Sequence, residues 1–252
     1  MNPTLVGTIV FAGTFGGALL GMWVRTVLPT RHFDAESKDT VKLGIGLVAT
    51  MSALVLGLVT ASAKSSFDAV DTAVKNAALD VLTLDRLLAR YGPETADLRN
   101  HMQQMVGARI ELIWPTDAPP AALELAKAPA QVERLADGIR ALTPHTDAQR
   151  ALQARAQELA ETILRVRWLV SSSTVTSVPL PFLTVLLFWL VITFASFGLF
   201  APRNGTVVAV LVVCALSVGA AVFLVLEMDG PFTGILKVSP EPLRYAYAHL
   251  NQ

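Results

Sequence analysis

The chain has 252 residues, 53% of them hydrophobic and only 16% charged, and a mean hydropathy of +0.52 sets it outside ordinary water-soluble domains. Its 20 basic and 20 acidic residues cancel, so no net field gathers nucleic acid and no nucleic-acid partner is expected. A single cysteine, Cys214, excludes an intrachain disulfide and a multi-cysteine metal centre, and reads as small core packing.

Four stretches carry no Asp, Glu, Lys or Arg: Met1 to Val24, Leu43 to Ala63, Trp168 to Pro202, and Asn204 to Leu226. A hydrocarbon core of about 30 Å takes roughly 20 helical residues, and a charge at its centre costs at least ~2.5 kcal/mol. Each stretch therefore reads as a membrane span, and the chain as an all-α protein with four transmembrane helices.

The first segment, 1–28, holds a span near Leu5 to Val24. Its N-terminus lacks Lys and Arg and no small-x-small cleavage site follows, so it reads as a retained anchor rather than a secretory signal. Gly13, Gly17 and Gly21 form two overlapping GxxxG units, which let another helix backbone approach closely, either within one subunit or between subunits. A short loop, 29–42, leads to the second span at 43–63. From this span into the stalk runs a row of small residues spaced by four, Ala49, Ala53, Gly57, Ala61, Ser65 and Ala69, which offers the same two packing readings. A neighbouring face carries Gly46, Thr50, Ala53, Gly57, Thr60 and Lys64. Small groups leave room, hydroxyls can coordinate a partly dehydrated anion, and a lysine at the mouth raises local anion concentration, so this face is a candidate pore lining. The competing reading has the threonines bonding back to their own helix and Lys64 snorkelling to the interface.

Residues 64–177 hold 13 of the 20 basic and 14 of the 20 acidic residues, the composition of a water-exposed domain. They read as a helical stalk or bundle inserted between the second and third spans. Phe67, Val70, Val74, Ala77, Val81, Leu84, Leu88 and Tyr91 alternate by three and four, an apolar seam on a helix that continues the second span without a break. Gly92 suits a left-handed cap there and Pro93 the start of the next helix, which runs to about Trp114. After a loop at Asp117 to Pro120, a third helix begins near Pro129 with Val132, Leu135, Ile139 and Leu142 on one face. Thr143 and Pro144 predict the cap and first turn of a fourth, with Leu152, Ala156, Leu159, Ile163, Val166 and Val170 along it.

Pro179 and Pro181 mark the start of the third span, within 178–200. A tight turn, 201–205, contains Arg203 and Asn204, an interfacial anchor and a turn former. The fourth span follows at 206–226. Glu227 and Asp229 then open a C-terminal tail, 227–252, as a boundary charge pair ahead of Gly230 and Pro231, with cation binding or pH gating as the sharper alternative. The positive-inside rule leaves the side of the stalk open. Loop and turn carry Arg25, Arg31, Lys38, Lys42 and Arg203 against Lys237 and Arg244 opposite, but Lys64, Arg165 and Arg167 beside the spans erase the difference.

Nucleotide-binding, serine-hydrolase and zinc-protease motifs are missing, and His32, His101, His145 and His249 show no metal-ligand spacing. No enzyme, cofactor or metal is expected.

Four strings carry a family likeness: SKDTVKLGIGLVATMSALVLGLVTASAKSSFD at 37–68, LDRLLARYGPE at 84–94, SFGLFAPRN at 196–204 and LEMDGPF at 226–232. They resemble the bacterial bestrophin-like family, long classed as a domain of unknown function. The likeness covers both membrane pairs, the start of the stalk and the tail; residues 115–150 carry little of it. It implies a multi-pass protein of the bacterial inner membrane, a homo-oligomer, pentameric if it follows bestrophins proper, and conduction of small anions such as chloride. It also marks Asp85, Arg86, Arg203, Asn204, Glu227 and Asp229 as motif residues without an assigned role. The phenylalanine-lined neck of bestrophins has no counterpart in the second span, whose nearest Phe is Phe67, and no acidic cluster matches their calcium clasp. The rival expectation is a non-conducting scaffold or sensor whose stalk binds a partner.

Overall fold

The computed structural model describes residues 2–28, 35–115, 133–172, 180–202 and 204–252. Every regular element among them is helical. In chain order these are α1 (Pro3–Val27), α2 (Ala35–Tyr91), a 3₁₀ turn (Pro93–Thr95), α3 (Ala96–Ile113), α4 (133–140), α5 (Asp147–Ser172), α6 (Leu180–Phe200), α7 (Gly205–Met228) and α8 (Glu241–Ala248). Among the described residues four helices are long and apolar enough to cross a membrane: α1, a stretch of α2, α6 and α7.

The chain divides into two compact units, Met1–Phe67 with Thr176–Ile235, and Asp68–Val175 with Leu236–Gln252. Both share α2, a helix of 57 residues with no break between its apolar and charged halves. Expectation and structure differ at its start. Helix begins at Ala35, inside the stretch read as loop, because lack of charge marks the hydrocarbon limit whereas helix continues through residues that water can solvate.

In the first unit, α1 packs on α6 and α7. Asn2 caps α1 by accepting from the Thr4 N–H at 3.1 Å, and Pro3 fills the first-turn position where its missing donor costs nothing. The α1–α6 contact is backbone against backbone. A Cβ on Gly21 would lie 2.8 Å from both the Ala195 carbonyl carbon and the Leu199 nitrogen, and one on Gly17 2.9 Å from the Val191 oxygen. Gly13 meets Val191 and Leu187 only at ordinary distance. Gly7 and Gly219 mark the corresponding approach of α1 to α7. Arg25, at the end of α1, donates to the Ala201 carbonyl after α6, satisfying an orphan acceptor of that helix end. Cys214 is exposed on α7, which corrects its reading as core packing; α7 is apolar nearly all round, so periodicity does not say which of its faces is inward.

The seam of α2 is half-buried at Phe67, the last residue of the first unit's stretch, and in the second unit it is buried at Val70, Val74, Val81, Leu84, Leu88 and Tyr91. Gly92 adopts φ 149°, an extended conformation open to glycine rather than the expected left-handed cap. Thr95 then closes the α2–α3 corner, its buried hydroxyl donating to the carbonyls of Leu88 and Gly92 at 2.6 and 2.8 Å. The helix after Leu142 starts three residues later than Thr143–Pro144 predicts. Thr146 is the cap, its Oγ1 accepting from the Gln149 N–H at 3.1 Å while Gln149 accepts from the His145 N–H at 2.9 Å, a variant of the capping box written in Thr146-x-x-Gln149. Leu135 and Ile139 are buried on α4; Pro129 to Val132 lie outside the described residues, as do the side chains of Val166 and Val170.

The tail is not a plain extension. Trp114 donates through Nε1 to the Val238 carbonyl at 2.9 Å, Tyr247 of α8 lies over Gly107, and Asn251 donates to Gln103 at 2.8 Å.

Candidate functional site

Within α2, the run 41–63 has only two buried positions, Ser52 and Ala63. They belong to the face turned to the rest of the first unit, where Leu56 packs on Val10, Val222 and Leu226, and Val59 and Ala63 pack with Val225 and Met228. The helix shows two other faces. At about 100° per residue, Leu43, Leu47, Leu54 and Leu58 fall opposite the buried face, and all four are exposed. Between them runs the third face, Gly46, Thr50, Ala53, Gly57, Thr60 and Lys64, every member exposed. Gly46 and Gly57 have nothing within 4 Å of where a Cβ would stand. Ala61 and Ser65 are exposed beside them, and Ala49 is half-buried.

The hydroxyls on this face bond to their own helix. Thr50 donates to the Gly46 carbonyl at 2.8 Å and Thr60 to the Leu56 carbonyl at 2.7 Å. Their oxygens therefore turn lone pairs outward, and presenting a proton to an anion means giving up a bond worth about 1 kcal/mol. Lys64 supplies positive charge one turn beyond Thr60.

The motif residues scatter over both units. Asp85 is 1% exposed and accepts from Arg99 Nε and Nη2 at 2.8 and 2.9 Å, a bidentate pair inside the second unit. That hydrogen bond, ahead of the opposing loss of solvation, raises the Arg99 pKa. Arg86 donates to the Gln252 carbonyl at 2.9 Å. Asn204 is the cap of α7, its Oδ1 accepting from the Val207 N–H at 2.8 Å; Arg203 lies outside the described residues. Glu227, expected as one of a boundary charge pair, is only 4% exposed, and its Oε2 accepts from the Ile235 N–H at 2.6 Å. Asp229 is the C-cap of α7.

Among the described residues no cluster of three or more His, Cys, Asp or Glu side chains is placed to hold a metal ion. Asp80, in the second unit, has its pKa raised by burial, and burial ahead of the Glu94 charge raises that of Tyr91, whose phenolic oxygen is the one buried side-chain polar atom without a partner among the described residues. Sequence reasoning missed the Arg99 partner of Asp85 and the clamp on Glu227, because both pair residues across turns that no periodicity encodes.

A family description, the Bestrophin-like domain, matches residues 12–243. The chain belongs to the bestrophin-like family. The match takes in all four apolar helices and both units, so this bestrophin-like chain is a membrane protein of all-α fold. No curated protein and no solved structure matches it.

Proposed function

We propose that this bestrophin-like protein is a homo-oligomer of the bacterial inner membrane that conducts small anions, with α2 of each copy lining the path and no enzymatic activity. The carrying observation is the third face of α2. A helix surrounded by lipid has no reason to keep leucines on one exposed face and only Gly, Ala, Thr and Lys on the next. Lipid rewards the leucines; the small face suits a close neighbour or water. A ring of such faces makes a wide, weakly polar passage with Lys64 at its mouth.

The alternative, a non-conducting scaffold or sensor whose helical unit binds a partner, has less support. The seam it would use, from Val70 to Tyr91, is buried within the chain's own second unit, and Gln149 of α5 donates to the Tyr91 carbonyl at 3.0 Å at its far end.

Halide flux into liposomes separates the two. Wild-type protein is expected to pass halide above empty vesicles, and Lys64→Glu to lower the flux or its anion preference. Flux unchanged in folded Lys64→Glu removes that residue from the path. No flux from folded wild type, across pH and calcium, makes the scaffold reading the better one.

A further inference from the structure

We infer that residues 230–235 form a lipid-docking turn that sets the Ile235 side chain into the boundary between headgroups and acyl chains, at the membrane end of α7. Among the described residues Ile235 is the most exposed of the large apolar side chains, at 80%, and it follows an uncharged run, Gly-Pro-Phe-Thr-Gly. Its depth follows from one bond. Eight residues of extended chain past Glu227 would carry Ile235 roughly 26 Å away from the end of the span. The Glu227 carboxylate instead accepts the Ile235 N–H at 2.6 Å, which returns Ile235 to within a side chain's length of the helix end. Glu227 stands directly after Leu226, the last residue of the uncharged run.

The turn is built around that carboxylate. The Gly230 N–H donates to the Glu227 carbonyl at 3.2 Å and the Thr233 N–H to the Gly230 carbonyl at 3.0 Å. Gly234 has φ 85°, and a Cβ there would stand 2.8 Å from the Glu227 carboxyl carbon. Burying a carboxylate and holding a positive φ are both unfavourable unless something compensates. Their combined product is an isoleucine held outward, at the depth of the hydrocarbon edge, with its backbone donor already satisfied. An apolar side chain with a satisfied backbone is suited to lipid, where an open N–H would be costly. Recognition is by apolar burial, so the partner is the bilayer boundary. This holds whether or not the chain conducts.

The single cysteine makes the test direct. In a Cys214→Ser background, Ile235→Cys is spin-labelled in liposomes, and its collisions with oxygen, which concentrates in lipid, are compared with those of a water-soluble nickel chelate. Oxygen is expected to dominate, and Gly234→Ala to shift the balance towards the chelate. A label open to the chelate in the unclamped and clamped proteins alike overturns the proposal, as does a label shielded from both reagents, which would mean cover by protein such as a second copy. Should the cysteine variant not assemble, Ile235→Trp with lipids brominated along their acyl chains reads the same depth: added quenching over wild type supports the docking turn, and none sinks it.

Discussion

The glycines of α1 allow a graded test of how the first unit is held together. An alanine in a helix normally gains about 1 kcal/mol over glycine. Gly16, with nothing within 4 Å of a Cβ, should show that gain. Gly13 meets its nearest neighbour at 3.5 Å and should do the same. At Gly17 the new carbon would face the Val191 oxygen at 2.9 Å, so the neighbour must give by several tenths of an ångström. At Gly21 it would stand 2.8 Å from two backbone atoms of α6 and closer still to the Ala195 oxygen. Backbone cannot rotate away as a side chain can, so α1 and α6 must part, and overpacking of this kind reaches about 3 kcal/mol. Net of the helix gain, Gly21→Ala should lose about 2 kcal/mol, leaving it about 3 kcal/mol below Gly16→Ala. Equilibrium unfolding of the four variants in mixed micelles with rising dodecyl sulfate measures the order directly. If Gly21→Ala unfolds together with Gly16→Ala, the backbone contact does not hold the helices.

Two further outcomes concern the second unit. Asp85→Ala strands Arg99, which is 17% exposed, and should cost about 3 kcal/mol, whereas an apolar pair in the double variant Asp85→Leu/Arg99→Met should regain most of it. Thermal unfolding decides; a single variant within about 0.5 kcal/mol of wild type would show the pair to be idle. Asp80 gives a pH dependence of defined sign. Burial raises its pKa above the ordinary 3.8, so between that value and the raised one the folded chain binds more protons than the unfolded, and stability falls as pH rises through the window. Asp80→Asn should remove this component, seen as a flatter melting temperature against pH; curves that stay parallel would refute it.

The sequence is most legible where physics is one-dimensional. Missing charge locates the four spans, since lipid penalises each ionised group separately, and the three-four alternation from Phe67 to Tyr91 picks out the buried seam because a helix face is a matter of spacing. Legibility fails where a residue's role depends on its partner. Thr143–Pro144 and Thr146-x-x-Gln149 are both acceptable starts for α5; the chain uses the second, and Gln149 there also donates to the Tyr91 carbonyl at 3.0 Å. The tail shows the same limit. Leu243, Ala246 and Leu250 are spaced for one helix face, yet nothing in that spacing names α3 as the surface it meets. Glu227 reads as a boundary acid until Gly234, seven residues on, is seen to leave room for its carboxylate.

The two rows of small residues bring out what such a pattern can and cannot say. On α1, Gly17 and Gly21 meet the backbone of α6 within the chain. On α2, Gly57 of the small row and Gly46 of the neighbouring face have nothing within 4 Å of a Cβ, which is the space the proposed path would use. Under the proposed anion path, the bonding of Thr50 and Thr60 to their own helix then limits what the face can do. With hydroxyl protons turned inward, sign discrimination falls to Lys64. One cation about 4 Å from an ion in a water-filled mouth contributes about 1 kcal/mol, roughly a fivefold enrichment. A passage built this way prefers anions through the summed field of its copies at one end, rather than through dehydration along its length. Its preference should therefore weaken as salt shortens the reach of that field, a dependence that a path lined by hydroxyl donors would not share.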